Sequence, residues 1–313
     1  MIRILIAAAA IPALLLLFLV YRMDRLEKEP IRLLIKLALF GFIAAACAVV
    51  TERIGTAIMD SVWSSYTFSY AFVMYYFVVA LSEEGFKYLF LRIASWRAPS
   101  FDCQFDGVVY AVFASLGFAL IENILYVIQF GFGTALLRAV TAVPGHACFG
   151  VFMGVWYGLA RRYALAGQKS ASSACHAMAL IVPVLLHGIY DFCLMVNSWV
   201  MLLIGIVYYI VLVIYAFRKL SRIRKEDAPL PQETPVPPYP PYPGYPQNPV
   251  YPQNPAYPQN PVYPQNPAYP QNPAYPQNPV YPQNPVYPQN PVTPQFPQNP
   301  PVPPAQDPAD PAN

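Results

Sequence analysis

A succession of long apolar runs fills this chain up to about residue 217, and that feature limits its fold more than any other. Apolar runs of 18 or more residues are long enough to cross the hydrocarbon core of a bilayer as helices. Within lipid each such run must satisfy its own backbone hydrogen bonds. Seven spans are predicted, at about 2–21, 33–50, 67–91, 107–130, 134–160, 177–196 and 199–217. The expected fold class is therefore all-α, a polytopic membrane helix bundle. The first run is longer than the apolar region of a signal peptide and ends in "VYRMDR" with no small-x-small cleavage site, so it reads as a retained span.

Basic residues alternate with the spans. Arg22, Arg25, Lys28 and Arg32 follow span one, Arg92 and Arg97 follow span three, and Arg161, Arg162 and Lys169 follow span five. Five more lie between Arg218 and Lys225, against only Arg3 and Arg53 on the opposite side. The positive-inside rule then predicts a cell-membrane protein with its N-terminus outside and its C-terminal tail cytoplasmic. The five cysteines form no C-x-x-C pair and read as reduced thiols, three in spans and two in loops. No nucleic-acid partner is expected.

Beyond Asp227 the composition changes to Pro, Tyr, Gln, Asn, Val and Ala, and from Tyr245 "YPQNPV" or "YPQNPA" recurs with period six. Proline at two of six positions forbids helices and sheet ladders. The hexad offers no apolar face to stack, which argues against a solenoid. The expected organisation is a transmembrane domain over 1–225 and a disordered cytoplasmic tail over 226–313. The tail could serve as a multivalent Tyr/Pro ligand for a protein partner.

Apart from Arg3 and Lys36 near span ends, the charged and imidazole groups left inside the spans are Glu83, Glu84, Lys87, Glu122, Arg138, His146, His187 and Asp191. A carboxylate at the bilayer centre costs about 2.5–3.5 kcal/mol on insertion scales, so such groups face a bundle interior or a water cavity. Glu83 and Glu84 lie four and three residues before Lys87, on one side of a helix. His187 and Asp191 are an i, i+4 pair. His146, Gly150, Gly154 and Gly158 form one stripe that lets a neighbouring helix approach closely. At about 1.5 Å per residue these groups fall in one middle band of the membrane. Arg138, near the predicted outer interface, reads as snorkelling, and His176 as incidental to the set.

Imidazoles and carboxylates of this kind can hold Zn²⁺ while a further carboxylate acts as general base. Without metal, a carboxylate pair and a histidine could activate water directly, and the same groups could relay protons. Composition does not choose among these.

Five segments, in order, carry a resemblance: "DRLEKEP" (24–30), "EEGFK" (83–87), "FDGVVYAVFASLGFALIENILYV" (105–127), "RAVTAVPGHACFG" (138–150) and "HGIYD" (187–191). Together they resemble the PrsW family of intramembrane proteases, related to the CAAX-processing and bacteriocin-processing membrane peptidases. The resemblance implies an endopeptidase that hydrolyses a peptide bond of a membrane-anchored protein, such as an anti-sigma-factor-like regulator. It implies catalytic roles for Glu83, Glu84, Glu122, His146, His187 and Asp191, to which the spacing of Lys87 from the two glutamates adds that residue. Either glutamate would be general base, Lys87 would orient or balance the pair, and His146, His187, Asp191 and Glu122 would bind Zn²⁺. A metal-independent glutamate-type protease is the alternative chemistry. A non-catalytic scaffold of a larger protease assembly and a proton-coupled transporter are the alternative functions. The Pro-rich tail lies outside the family pattern.

Overall fold

The computed structural model describes residues 2–24, 26–63 and 65–231. The expected tail from residue 232 onward lies outside the described residues. The chain enters as α1 (Ile2–Met23) and returns as α2 (Ile31–Val62), which starts behind Pro30. A third rod follows in three pieces: α3 (Phe68–Val73), a π-helical stretch (Met74–Ala80) and α4 (Leu81–Ser95). Thr67 caps its start by accepting from the Tyr70 amide at 3.1 Å. Next come α5 (Gln104–Phe130), the short α6 (Phe132–Val140), α7 (Ala142–Leu165), α8 (Lys169–Met195) and α9 (Trp199–Glu226). No strand occurs among the described residues; one isolated bridge joins Cys103 to Pro229.

Among the described residues, six helices are long and apolar enough to span a membrane, counting α6 with α7. The third rod, interrupted by its π turn and bearing the paired glutamates, makes the seventh. The protein is thus a multi-pass membrane protein. Arg22, Arg92, Arg162, Arg224 and Lys225 close their helices at one common end, called here the basic end.

α5 is the axis of the bundle. Buried residues make up 61% of its apolar window, against 17% for α9 on the periphery. Glycines let its neighbours come close. A Cβ on Gly107 of α5 would sit 2.7 Å from the Gly158 amide nitrogen, and one on Gly150 would touch Ser115 at 3.0 Å. The predicted stripe on α7 is therefore the face laid against α5. On the other side Gly41 of α2 meets the backbone of Ala114, Gly117 and Phe118. Van der Waals packing of this kind is what holds helices together where water supplies no hydrophobic drive.

Several predicted boundaries move, that of α9 among them, which runs to Glu226 rather than ending near residue 217. α2 runs to Val62 rather than ending near residue 50, and α8 begins at Lys169 rather than 177. The charges Glu52, Arg53 and Asp60 suggested an end that the backbone ignores. α8 also takes in Cys175, which the sequence placed in a loop; all five cysteines are free thiols, four of them buried.

Candidate active site

α4 starts the site. Glu83, Glu84 and Lys87 share one buried face, and Glu84 and Lys87 have no exposure at all. The Lys87 ammonium donates to Glu84 Oε1 at 2.8 Å and Glu83 Oε2 at 3.0 Å, and approaches His146 Nδ1 at 3.0 Å. It also lies 3.9 Å from the Phe118 ring centroid. An ammonium only donates, so Nδ1 of His146 accepts and its Nε2 carries the proton. That Nε2–H points at Glu122 Oε2, 2.9 Å away on α5. Ser115 of α5 donates to the His146 carbonyl at 2.7 Å and fixes the start of α7.

Glu122 receives a second donor, Arg138 Nη2 at 2.7 Å. Arg138 Nε bonds Asn123 Oδ1 at 3.0 Å, and Asn123 reaches the Ala9 carbonyl of α1 at 2.8 Å. The snorkelling expected of Arg138 does not occur. The break at Thr141 between α6 and α7 turns its guanidinium inward, and it becomes a member of the network.

α8 closes the other side. His187 Nδ1 lies 3.0 Å from Glu84 Oε1 and 3.8 Å from Glu83 Oε2, and Nε2 lies 3.3 Å from Asp191 Oδ2. Phe149 stacks on the His187 ring with centroids 4.7 Å apart, and the two histidine rings are 5.5 Å apart. The π-helical turn matters here. It brings the Tyr76 ring onto Gly188, where a Cβ would meet Tyr76 Cδ1 at 2.5 Å, and so lets α8 bring His187 to the glutamates.

All seven residues singled out in the sequence therefore join one chain of contacts across α4, α5, α7 and α8. His176 lies elsewhere, bonded to Tyr88 at 2.6 Å near the basic end. Sequence reasoning missed Glu52. It lies on the continuation of α2, within electrostatic reach of Glu83, Glu122, Lys87 and His187. The signal was the helical spacing Ala48–Glu52, which a span ending at residue 50 cut off.

For a metal, one oxygen of each glutamate and one nitrogen of His187 lie within 4.8 Å of one another, all in buried residues. Glu84 Oε2 is buried without a hydrogen-bond partner. Nitrogen and carboxylate donors with an uncommitted buried oxygen fit a zinc-like ion. Of the four ligands expected from sequence, only His187 belongs to this group. His146 and Glu122 bond each other across the Lys87 ammonium, and Asp191 stands behind His187.

A family model described as "PrsW family intramembrane metalloprotease" matches residues 29–216. Protease PrsW of Oceanobacillus iheyensis is 38% identical over 189 residues, 60% of this chain and 82% of that protein. Protease PrsW of Clostridioides difficile is 35% identical over 210 residues, 65% and 84%. Protease PrsW of Bacillus subtilis is 32% identical over 196 residues, 62% and 85%. No solved structure matches the chain.

Proposed function

The chain belongs to the PrsW family of intramembrane metalloproteases and is a peptidase, and from that premise we propose how its residues divide the work. Glu83 is the general base. Its side chain keeps 7% exposure while that of Glu84 has none, so a water molecule can reach it. Glu84 and His187 hold the reacting centre, and Lys87 keeps both carboxylates in place. The His146–Glu122 pair, held in turn by Arg138, fixes the Lys87 ammonium and so the two glutamates it binds.

Glu84 and His187 would hold the metal, with the Glu83 carboxylate beside them kept free as base, and zinc is the ion their chemistry suits. When bound, it polarises the carbonyl and lowers the pKa of a coordinated water to about 7. His187 is oriented from behind by Asp191, as imidazole ligands usually are by a carboxylate. The substrate is a membrane-anchored protein, of which an anti-sigma-factor-like regulator is one kind. By the positive-inside rule the basic end faces the cytoplasm of a cell membrane, and the site lies nearer the opposite end.

The observation that carries this reading is the orphaned Glu84 Oε2 beside His187 and Glu83. The test is metal analysis of purified protein beside a Glu83→Gln/Glu84→Gln variant. About one equivalent of zinc per chain in the parent and none in the folded variant is the expected result. Equal metal content in both would sink the ligand assignment.

A further inference from the structure

The peripheral helix α9 does not close fully on its neighbours. A cavity of about 430 Å³ lies between α7, α8 and α9, and none of the catalytic groups lines it. From α9 it takes Tyr208, Leu212, Tyr215 and Lys219, which recur at intervals of three and four along one face. Trp156 and Leu159 of α7 form the opposite wall. Lys219 lies eleven residues on from Tyr208, about 16 Å along the helix. That is about half the thickness of a hydrocarbon core, so the groove is one leaflet deep. At its deep end the Tyr208 hydroxyl donates to the Leu186 carbonyl at 2.7 Å and joins α9 to α8. Its other end opens at the basic end of the bundle.

The mouth carries positive charge that the protein does not neutralise. Lys219 is half-buried and makes no ion pair or hydrogen bond with a described residue. Glu226, the acidic residue closing α9, is taken by Arg222 at 2.9 Å. On α7 the exposed Arg162 follows Leu159 by three residues, which places it on the same face. An apolar slot with a cation at its mouth suits an amphiphile with an acyl tail and an anionic head. A peptide helix fits poorly. With side chains it is about 10–12 Å across, so the cavity would hold little more than one turn. A zwitterionic head would bring its own ammonium toward Lys219. Anionic lipids are enriched in the cytoplasmic leaflet, and basic pockets between membrane helices on that side hold their head groups.

We propose that the groove between α7, α8 and α9 binds one anionic phospholipid, with an acyl chain along Trp156 and Leu212 and the phosphate at Lys219.

The test uses the full chain in phosphatidylcholine nanodiscs containing increasing fractions of a lipid with brominated chains, either phosphatidylglycerol or phosphatidylcholine. Bromine quenches tryptophan on contact, and the share of Trp156 is read by difference from Trp156→Phe. Phosphatidylglycerol should reach half its quenching at a mole fraction about fivefold lower than phosphatidylcholine. Lys219→Gln should abolish that preference, and Lys219→Arg should keep it. Arg218→Gln removes the same charge one residue away, outside the groove, and should also keep it. Equal loss in Arg218→Gln and Lys219→Gln would mean attraction to a basic surface and would overturn the site. So would a parent without preference, or Trp156 quenching that rises in proportion to the bulk fraction without saturating. Thermal unfolding gives a second reading that needs no tryptophan variant. Phosphatidylglycerol should raise the parent's midpoint above that in phosphatidylcholine, and a rise that survives Lys219→Gln overturns the proposal.

Discussion

Two clusters of buried carboxylates lie at different depths of the bundle, and they are held in opposite ways. Glu83, Glu84 and His187 form one; Asp24, Glu29 and Asp106, at the basic end, form the other. In the first, the two carboxylates are held by the Lys87 ammonium and the His187 imidazole. In the second, Tyr110 donates to Glu29, and the Cys103 and Asp102 amides donate to Asp106 Oδ2 at 2.6 and 3.1 Å. Neither Glu29 nor Asp106 has an ion pair among the described residues. Lys28, although adjacent, donates to the backbone carbonyls of Tyr21 and Asp24.

The difference separates reactivity from structure. Hydroxyls and amides fix a carboxylate but exchange no proton near neutrality, so the basic-end cluster is a clasp. It ties the loop before α2 to the start of α5. The Asp227 carboxylate accepts from the Phe105 amide at 3.0 Å and the Leu230 amide donates to Asp102 at 2.6 Å, which secures the end of α9 beside it. Imidazoles and an orphaned carboxylate oxygen can bind and move protons, so the other cluster is a site. Acid clustering and burial alone do not distinguish the two.

The sharpest way to break this contrast is Lys87→Met. Removing one partner of a buried ion network typically costs about 3–5 kcal/mol, because the remaining charges are left uncompensated. Thermal unfolding in detergent should show that loss, and activity should vanish with it. Next comes Glu84→Gln, which keeps the shape. Its cleavage of a reconstituted single-pass substrate should fall by about a hundredfold or more, with a smaller loss of thermal stability than Lys87→Met, since Glu83 still faces the ammonium. Tyr110→Phe, in the clasp, should cost only about 1 kcal/mol of stability and leave the cleavage rate of the folded protein intact.

The smallest effect concerns pH. Burial raises the Glu29 carboxyl above its ordinary value of 4.5, against hydrogen bonds that lower it. The folded state then holds this proton to higher pH than the unfolded chain, so stability falls as pH rises from about 4.5 through the folded value. Glu29→Gln should flatten the thermal-stability profile over that window. An unaltered slope would show that another group governs it.

Much of this was legible in the sequence. Apolar run length marked the spans, and i, i+4 spacing placed Glu83, Glu84 and Lys87 on one face and paired His187 with Asp191. The glycine stripe on α7 read directly as a close helix crossing. What stayed hidden depended on three-dimensional approach. Nothing in the run of residues 132–141 shows that a break at Thr141 turns Arg138 toward Glu122. Nor does local spacing show that Lys87 comes between the glutamates and His146, which shifts the three-donor group to Glu83, Glu84 and His187. Glu52 was lost because a charged residue looks like the end of a span, whereas a buried site gives it a reason to lie inside one.

The most direct measurement sets the two clusters side by side. One reconstituted single-pass substrate is offered to a Glu83→Gln/Glu84→Gln variant and to a Glu29→Gln/Asp106→Asn variant, with rates normalised to folded protein. The first should cut at background, and the second within about threefold of the parent, since surface-remote clasps alter stability rather than chemistry. Loss of cleavage in the second with retention in the first would contradict the account.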